Sequence, residues 1–306
     1  MEEALFIAHT CLGLQPNEDL LIACDYSHVD MARKFAESLS CPMMVIPPLA
    51  FNGEEPPSQV AHLFQSYDAV LALTTLSLGP TEARKKACER GVRFVSMAGI
   101  TRESLQTVIN TDYNIVEKRA SKLAEMLQSA DCIEVASGGR TVELFVHGRS
   151  PMPLTGIYAE KGAFGTLPEG EVLVAPVEEV GQGAFTVDVG MVGVGFFEHP
   201  VTFYVEGGQV TSIEPHNQVL EKILDSHEGS RQIAEVAVGL NPVAQYRTIF
   251  EAKKVEGSCH ISLGDNHTIG GIHRCAIHMD GVISSPTITV DGETIVDHGT
   301  LAGWLQ

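Results

Sequence analysis

From the start to about Thr111, short apolar runs alternate with stretches of helical spacing. LLIACD (20–25) reads as a buried strand, and the helix expected from Val29 to Ser38 carries Met31, Ala32, Phe35 and Ala36 as its apolar stripe. PMMVIP (42–47), YDAVLALTT (67–75) and VRFVSMAG (92–99) are the next strands. Between the last two, PTEARKKACERG opens on proline and closes on glycine, the asymmetry of a helix. This order predicts an α/β N-terminal domain with a mostly parallel sheet covered by helices. CDYSH (24–28) follows the first strand where a dinucleotide site would need GxGxxG, so that site is not supported.

A helix is expected from about Asn114 to Ala130, with Ile115, Val116, Leu123 and Leu127 on its apolar side. Beyond it the period changes to two. IEVASGG, TVELFVHGR, EVLVAPVEE, AFTVDVGMVGVGF, VTFYVEGGQVTSIE and SPTITVDGETIV are strand-like runs divided by Gly-Gly, Glu-Gly and Asp-Gly turns. They predict a mainly antiparallel sheet or barrel. The boundaries are an α/β domain over 1–112 and a metal-binding α+β domain over 113–306. The glycines of GMVGVG (190–195) lie between strands with no helix to follow, and Ser137-Gly138-Gly139 reads as a turn rather than a nucleophile elbow.

A length of 306 residues fits about two domains. Acidic residues number 39 against 20 basic, a formal charge of −19, which repels nucleic-acid phosphates and anionic membranes and argues against both as partners. Seven cysteines without CxxC pairs fit reduced thiols. The N-terminus is acidic, without the basic region of a signal peptide, and no run approaches the roughly 20 apolar residues of a membrane span. The expected compartment is the cytoplasm.

The candidate chemistry is concentrated in CHISLGDNHTIGGIHRCAIHMDGV. It places His260, His267, His273 and His278 within nineteen residues and ends on His278-x-Asp280. In a strand, residues two apart share a face, so one ion could take both His278 and Asp280. Imidazole and carboxylate suit Zn, Mn, Co or Fe(II). The competing reading is a solvated polar loop. Cys259 and Cys275 flank the histidines, which leaves a ligand role open for either. Taken alone, Glu171 in PEGEVLV reads as an exposed strand residue and Glu235 in IAEVAVG as a surface residue of a short strand or helix. Arg140 and Arg149 sit at strand ends, where arginines are usually solvated, with a substrate carboxylate as the alternative partner.

TLPEGEVLVAPVEE, AEVAVGLNP, GSCHISLGDNHTIGG and IHMDGV, in that order, resemble segments of the aminopeptidase T family of metallo-aminopeptidases, over roughly residues 165–300. The resemblance implies a dinuclear centre in a C-terminal domain, two Zn, Co or Mn ions, a homodimer and short peptides as substrates. Its metal set falls on Glu171, Glu235, His260, His278 and Asp280. Glu171 or Glu235 would bridge the ions, and a free carboxylate would pass a proton to the leaving amine. His267 stands where the family has tyrosine, as a ligand or oxyanion donor.

The family peptidases are longer. A shorter branch, similar to 2,5-dihydroxypyridine 5,6-dioxygenase, uses the same scaffold around one Fe(II). There His260, His278 and Asp280 would form a facial triad, His267 or His273 would serve as acid/base, and the two glutamates would orient the histidines. Retention of both glutamates favours the metal-dependent hydrolase. The alternative is a ring-cleaving Fe(II) dioxygenase acting on a hydroxylated aromatic or pyridine ring.

Overall fold

Leu20, Ile22 and Cys24 pack into one apolar cluster and Leu21 and Ala23 into another, so the first strand is buried on both faces. That explains its unbroken apolar run, since a parallel strand covered on both sides needs no polar face. The computed structural model describes residues 2–306. In it Leu20–Cys24 lies between Met43–Val45 and Ala69–Leu73, and the sheet continues through Arg93–Ser96 to Phe164–Thr166. All four pairings are parallel. Helices Val29–Leu39 and Glu82–Glu89 form where their spacing predicts, and Thr81 caps the second by accepting from the Arg84 amide.

The chain divides into two compact units, residues 1–113 with 154–169, and 114–153 with 170–306. Residues 154–169 were read from the sequence as part of the second domain. The structure instead returns them to the first, where Phe164, Gly165 and Thr166 pair with Phe94, Val95 and Ser96. Gly165 is required there, because a Cβ would stand 2.0 Å from the Tyr158 ring.

The second unit holds two mainly antiparallel sheets, with no closed barrel among the described residues. In the eight-stranded sheet, Ser137 pairs with Arg140 across Gly138 and Gly139, whose φ of 56° and 73° make the two-residue turn. The glycines of 190–195 fall in a hairpin joining Gly190–Met191 to Gly195–Phe196. The helix Tyr113–Leu127 buries Val116, Ala120, Leu123 and Leu127, while Ile115 is 41 % exposed, so Ile115 is outside the apolar stripe. The seven-stranded sheet runs Gly195–Phe196, Gly190–Met191, His278–Ile283, Cys259–Gly264, Ile233–Gly239, Glu171–Val174, Met152–Leu154. No helix among the described residues is long and apolar enough to cross a membrane.

Candidate metal centre

Three neighbouring strands of the seven-stranded sheet set Glu235, Ser262 and Asp280 in one cross-strand row. The pleat puts His260 on the same face as Ser262, and His278 on the same face as Asp280. Glu171 joins them from the next strand, opposite Gly239. The pairing of Ile233–Gly239 with Cys259–Gly264 shifts register between Ile233 and Glu235, a bulge of the kind that re-aims a side chain.

Glu171 and Glu235 are 1 % and 3 % exposed, which overturns their reading as exposed strand and surface residues. A carboxylate so buried needs partners. The His260 ring, itself fully buried, bonds Glu235 Oε1 through Nε2 at 2.7 Å, while its Nδ1 faces Glu171 Oε2 at 3.8 Å. His278 Nε2 lies 3.4 Å from Glu235 Oε2 and 3.0 Å from Asp280 Oδ1. The other nitrogen of that ring, Nδ1, lies 2.7 Å from the Asp265 carbonyl oxygen, which turns Nε2 toward the two carboxylates. Ser262 Oγ donates to Asp280 Oδ1 and Lys253 Nζ to Asp280 Oδ2, both at 2.7 Å. Lys254 Nζ is 2.5 Å from Glu171 Oε1.

The charges follow from these contacts. Burial would push the Glu235 carboxyl up, but its bonds to His260 and His278 prevail and hold it below the usual carboxylate range. Asp280 is likewise lowered despite burial, chiefly by Lys253 and His278. Burial acts to discharge His278 and Lys253, yet the neighbouring carboxylates raise both.

Two groups of donors therefore form: Glu171, Glu235 and His260, and Glu235, His278 and Asp280, each with its donor atoms within 4.8 Å of one another. Donors bound to one ion at about 2.0–2.2 Å sit roughly 3.0–3.5 Å apart. The second group has two of its separations in that range. In the first, Glu171 Oε2 and His260 Nδ1 are buried without a hydrogen-bond partner. Both groups suit a divalent ion in donor type, but only the second does so in spacing, since the first has separations of 2.7 and 3.8 Å.

The remaining sequence candidates lie elsewhere. The proposed triad of His260, His278 and Asp280 is not gathered as a group, because Glu235 lies between His260 and His278. His267 belongs to neither group and binds the Asp265 carboxylate through Nδ1 at 2.7 Å. His273 Nε2 bonds the Gly229 carbonyl at 2.9 Å. Burial, with the nearby Glu235 charge, pushes the Cys259 thiol up, and Cys275 donates to the Glu228 carbonyl. Arg149 is paired with Glu178 and donates to the Gly270 carbonyl, and Arg140 lies over the Tyr204 ring.

Sequence reasoning missed Lys253, Lys254 and Ser262. Ser262 was legible, being two residues beyond His260 in a strand. The lysines enter because Gly239 has no side chain. A Cβ there would stand 2.2 Å from the Val255 carbonyl oxygen and 2.9 Å from that of Lys253.

Aminopeptidase T of Thermus aquaticus is 27 % identical over 156 residues, which is 44 % of this chain and 37 % of that protein, so the chain matches little more than a third of its length. The fold is similar to that of 2,5-dihydroxypyridine dioxygenase from Pseudomonas putida KT2440, with a TM-score of 0.79 and 18 % identity, covering 99 % of this chain and 95 % of that one. It is also similar to wild-type AmpT from Thermus thermophilus, with a TM-score of 0.69 and 18 % identity over 98 % of each chain. The profile of one family, described as NicX: 2,5-dihydroxypyridine 5,6-dioxygenase, matches residues 50–303, a span that includes every donor named above. Since this span is most of the chain, the protein belongs to the NicX family.

Proposed function

We propose that the protein is a metal-dependent oxygenase that opens a hydroxylated aromatic or pyridine ring, with one Fe(II) held by Glu235, His278 and Asp280. The observation that carries this reading is the family match over residues 50–303. The spacing of the Glu235, His278 and Asp280 donors agrees with it. A ferrous ion there would supply the electron-transfer and O₂ chemistry that ring opening needs. The protein's own part is orientation. The Asp265 carbonyl fixes the His278 ring, Ser262 and Lys253 fix both oxygens of Asp280, and His260 fixes Glu235.

The test is oxygen uptake with 2,5-dihydroxypyridine and related hydroxylated rings, after anaerobic loading with Fe(II). Uptake that depends on both iron and substrate is expected. Failure with all such rings, together with release of p-nitroaniline from amino-acid p-nitroanilides by the Zn or Co form, would reject the reading.

A second reading is a two-ion aminopeptidase, favoured by one observation: Glu235 belongs to both donor groups, as a bridging carboxylate must. Against it, none of the three carboxylates stands outside the two groups to carry the proton, and two of the three are paired with lysines.

A further inference from the structure

We infer that Lys254 stands in for a second metal ion, so that its ammonium group restricts this centre to one divalent ion per chain. The inference rests on the reading above that the retained ion lies between Glu235, His278 and Asp280.

The two donor groups share Glu235 but differ at their outer ends. In the group built on Asp280, the cation Lys253 takes Oδ2 and leaves Oδ1 near His278 Nε2 at 3.0 Å. In the group built on Glu171, Lys254 Nζ sits 2.5 Å from Oε1, and Oε2 is left 3.8 Å from His260 Nδ1, wider than the spacing of donors on one ion. Both side chains of that pair are 2 % exposed. The other two members are already joined, since His260 Nε2 and Glu235 Oε1 are 2.7 Å apart, a direct hydrogen bond that an ion between them would have to break. A cation is thus supplied by the chain at the place where a second divalent ion would find its outer carboxylate.

Charge balance points the same way. With both imidazoles neutral, as metal binding requires, three carboxylates and two ammonium groups leave a net −1 among these buried groups. One divalent ion brings that sum to +1, which a single anionic ligand such as a deprotonated ring hydroxyl neutralises. Two ions bring it to +3, and uncompensated buried charge is strongly disfavoured. The backbone holds the lysine in this position: the Asn241 amide donates to the Lys254 carbonyl at 2.9 Å, and Gly239 gives the segment room.

Lys254 is a positioning residue here, and its test reads metal content. The wild-type protein, Lys254→Met and Lys254→Arg would each be stripped of metal and titrated with Mn(II) and with Zn(II) by calorimetry. Elemental analysis after gel filtration would check each count. We expect about one equivalent for the wild type and for Lys254→Arg, and about two for Lys254→Met. Two equivalents in the wild type, or one in a folded Lys254→Met, would overturn the inference.

If Lys254→Met does not fold, as judged by circular dichroism, Glu171→Ala decides. Removing the outer carboxylate should leave the single equivalent bound within about threefold of the wild-type affinity, and its loss would overturn the inference. His278→Ala separates the two claims. If it keeps the ion, the reading of the retained site fails. If it loses the ion while Lys254→Met stays at one, only the role of Lys254 fails.

Discussion

The ring of His278 is oriented by the backbone of Asp265, whose carbonyl oxygen lies 2.7 Å from Nδ1 and so commits Nε2 to Glu235 and Asp280. Those two carboxylates overcome the effect of burial and keep His278 protonated well above the usual histidine range when no ion is bound. A metal needs the neutral ring, so uptake must expel that proton. Near neutral pH we expect release of about one proton per ion bound. Calorimetry in two buffers of different ionisation enthalpy would measure it. Because the proton competes with the ion, acidification should weaken binding by up to about tenfold per pH unit. Binding that is indifferent to pH between neutrality and mild acid would contradict this assignment.

A separate pH response belongs to the first unit. Asp25 directly follows the first parallel strand, 2 % exposed, and accepts from the His28 ring at 2.8 Å and from the Thr75 amide. Burial pushes its carboxyl up, but these partners prevail and hold it below the usual value. Its contribution to stability is therefore fully present above the unfolded carboxylate value of about 3.9 and is lost as pH falls through the lower folded value. Asp25→Asn should lower stability at neutral pH by about 1–3 kcal/mol and make the fall in stability below about pH 4 less steep. Urea melts of both proteins across that range would show it, and parallel profiles would refute it.

Beside the centre, the chain passes close to itself at Gly239. A Cβ there meets the Val255 carbonyl oxygen at 2.2 Å and Ser258 Oγ at 2.6 Å. Backbone cannot give way as a flexible side chain can, so Gly239→Ala should push the 253–258 segment outward and cost roughly 1–3 kcal/mol. Since that segment carries Lys253 and Lys254, metal affinity should change along with the melting temperature. A variant with wild-type values of both would show that the segment has slack.

Gly239 also marks where the sequence stopped being legible. The parallel sheet could be read because buried strands leave unbroken apolar runs such as AVLAL at 69–73, all buried. The donors could be read because alternation in a strand fixes which residues share a face, as with His278 and Asp280. Lys253 and Lys254 left no such signal. They reach the centre through a return of the chain past a glycine, and a pair of lysines in sequence looks like any solvated helix end. Phe164–Thr166 was missed for a related reason: three residues with a central glycine make no apolar run, and only pairing with Arg93–Ser96 makes them a strand. Ile115 was misplaced because it adjoins Val116, and one residue turns a helix by about 100°.

Glu171 offers the sharpest separation of the two chemistries. Its Oε1 is paired with Lys254 and its Oε2 faces His260 Nδ1 at 3.8 Å, so it touches neither His278 nor Asp280 in the second donor group. Glu171→Gln removes a charge and keeps the shape. In a one-ion oxygenase this should leave iron bound and reduce ring-dependent oxygen uptake by less than about tenfold, the scale on which groups that orient a ligand act. Stability should fall, because Lys254 loses its counter-charge in a buried setting, and breaking such a pair costs up to about 3–5 kcal/mol. A two-ion hydrolase would behave otherwise. It would lose one of three donors to its first ion and with it the peptidase activity, at least about a hundredfold, while the melting temperature need not track that loss. Measuring metal content, oxygen uptake, p-nitroaniline release and melting temperature on this one variant therefore assigns Glu171 either to the support of a single ion or to the coordination of a second.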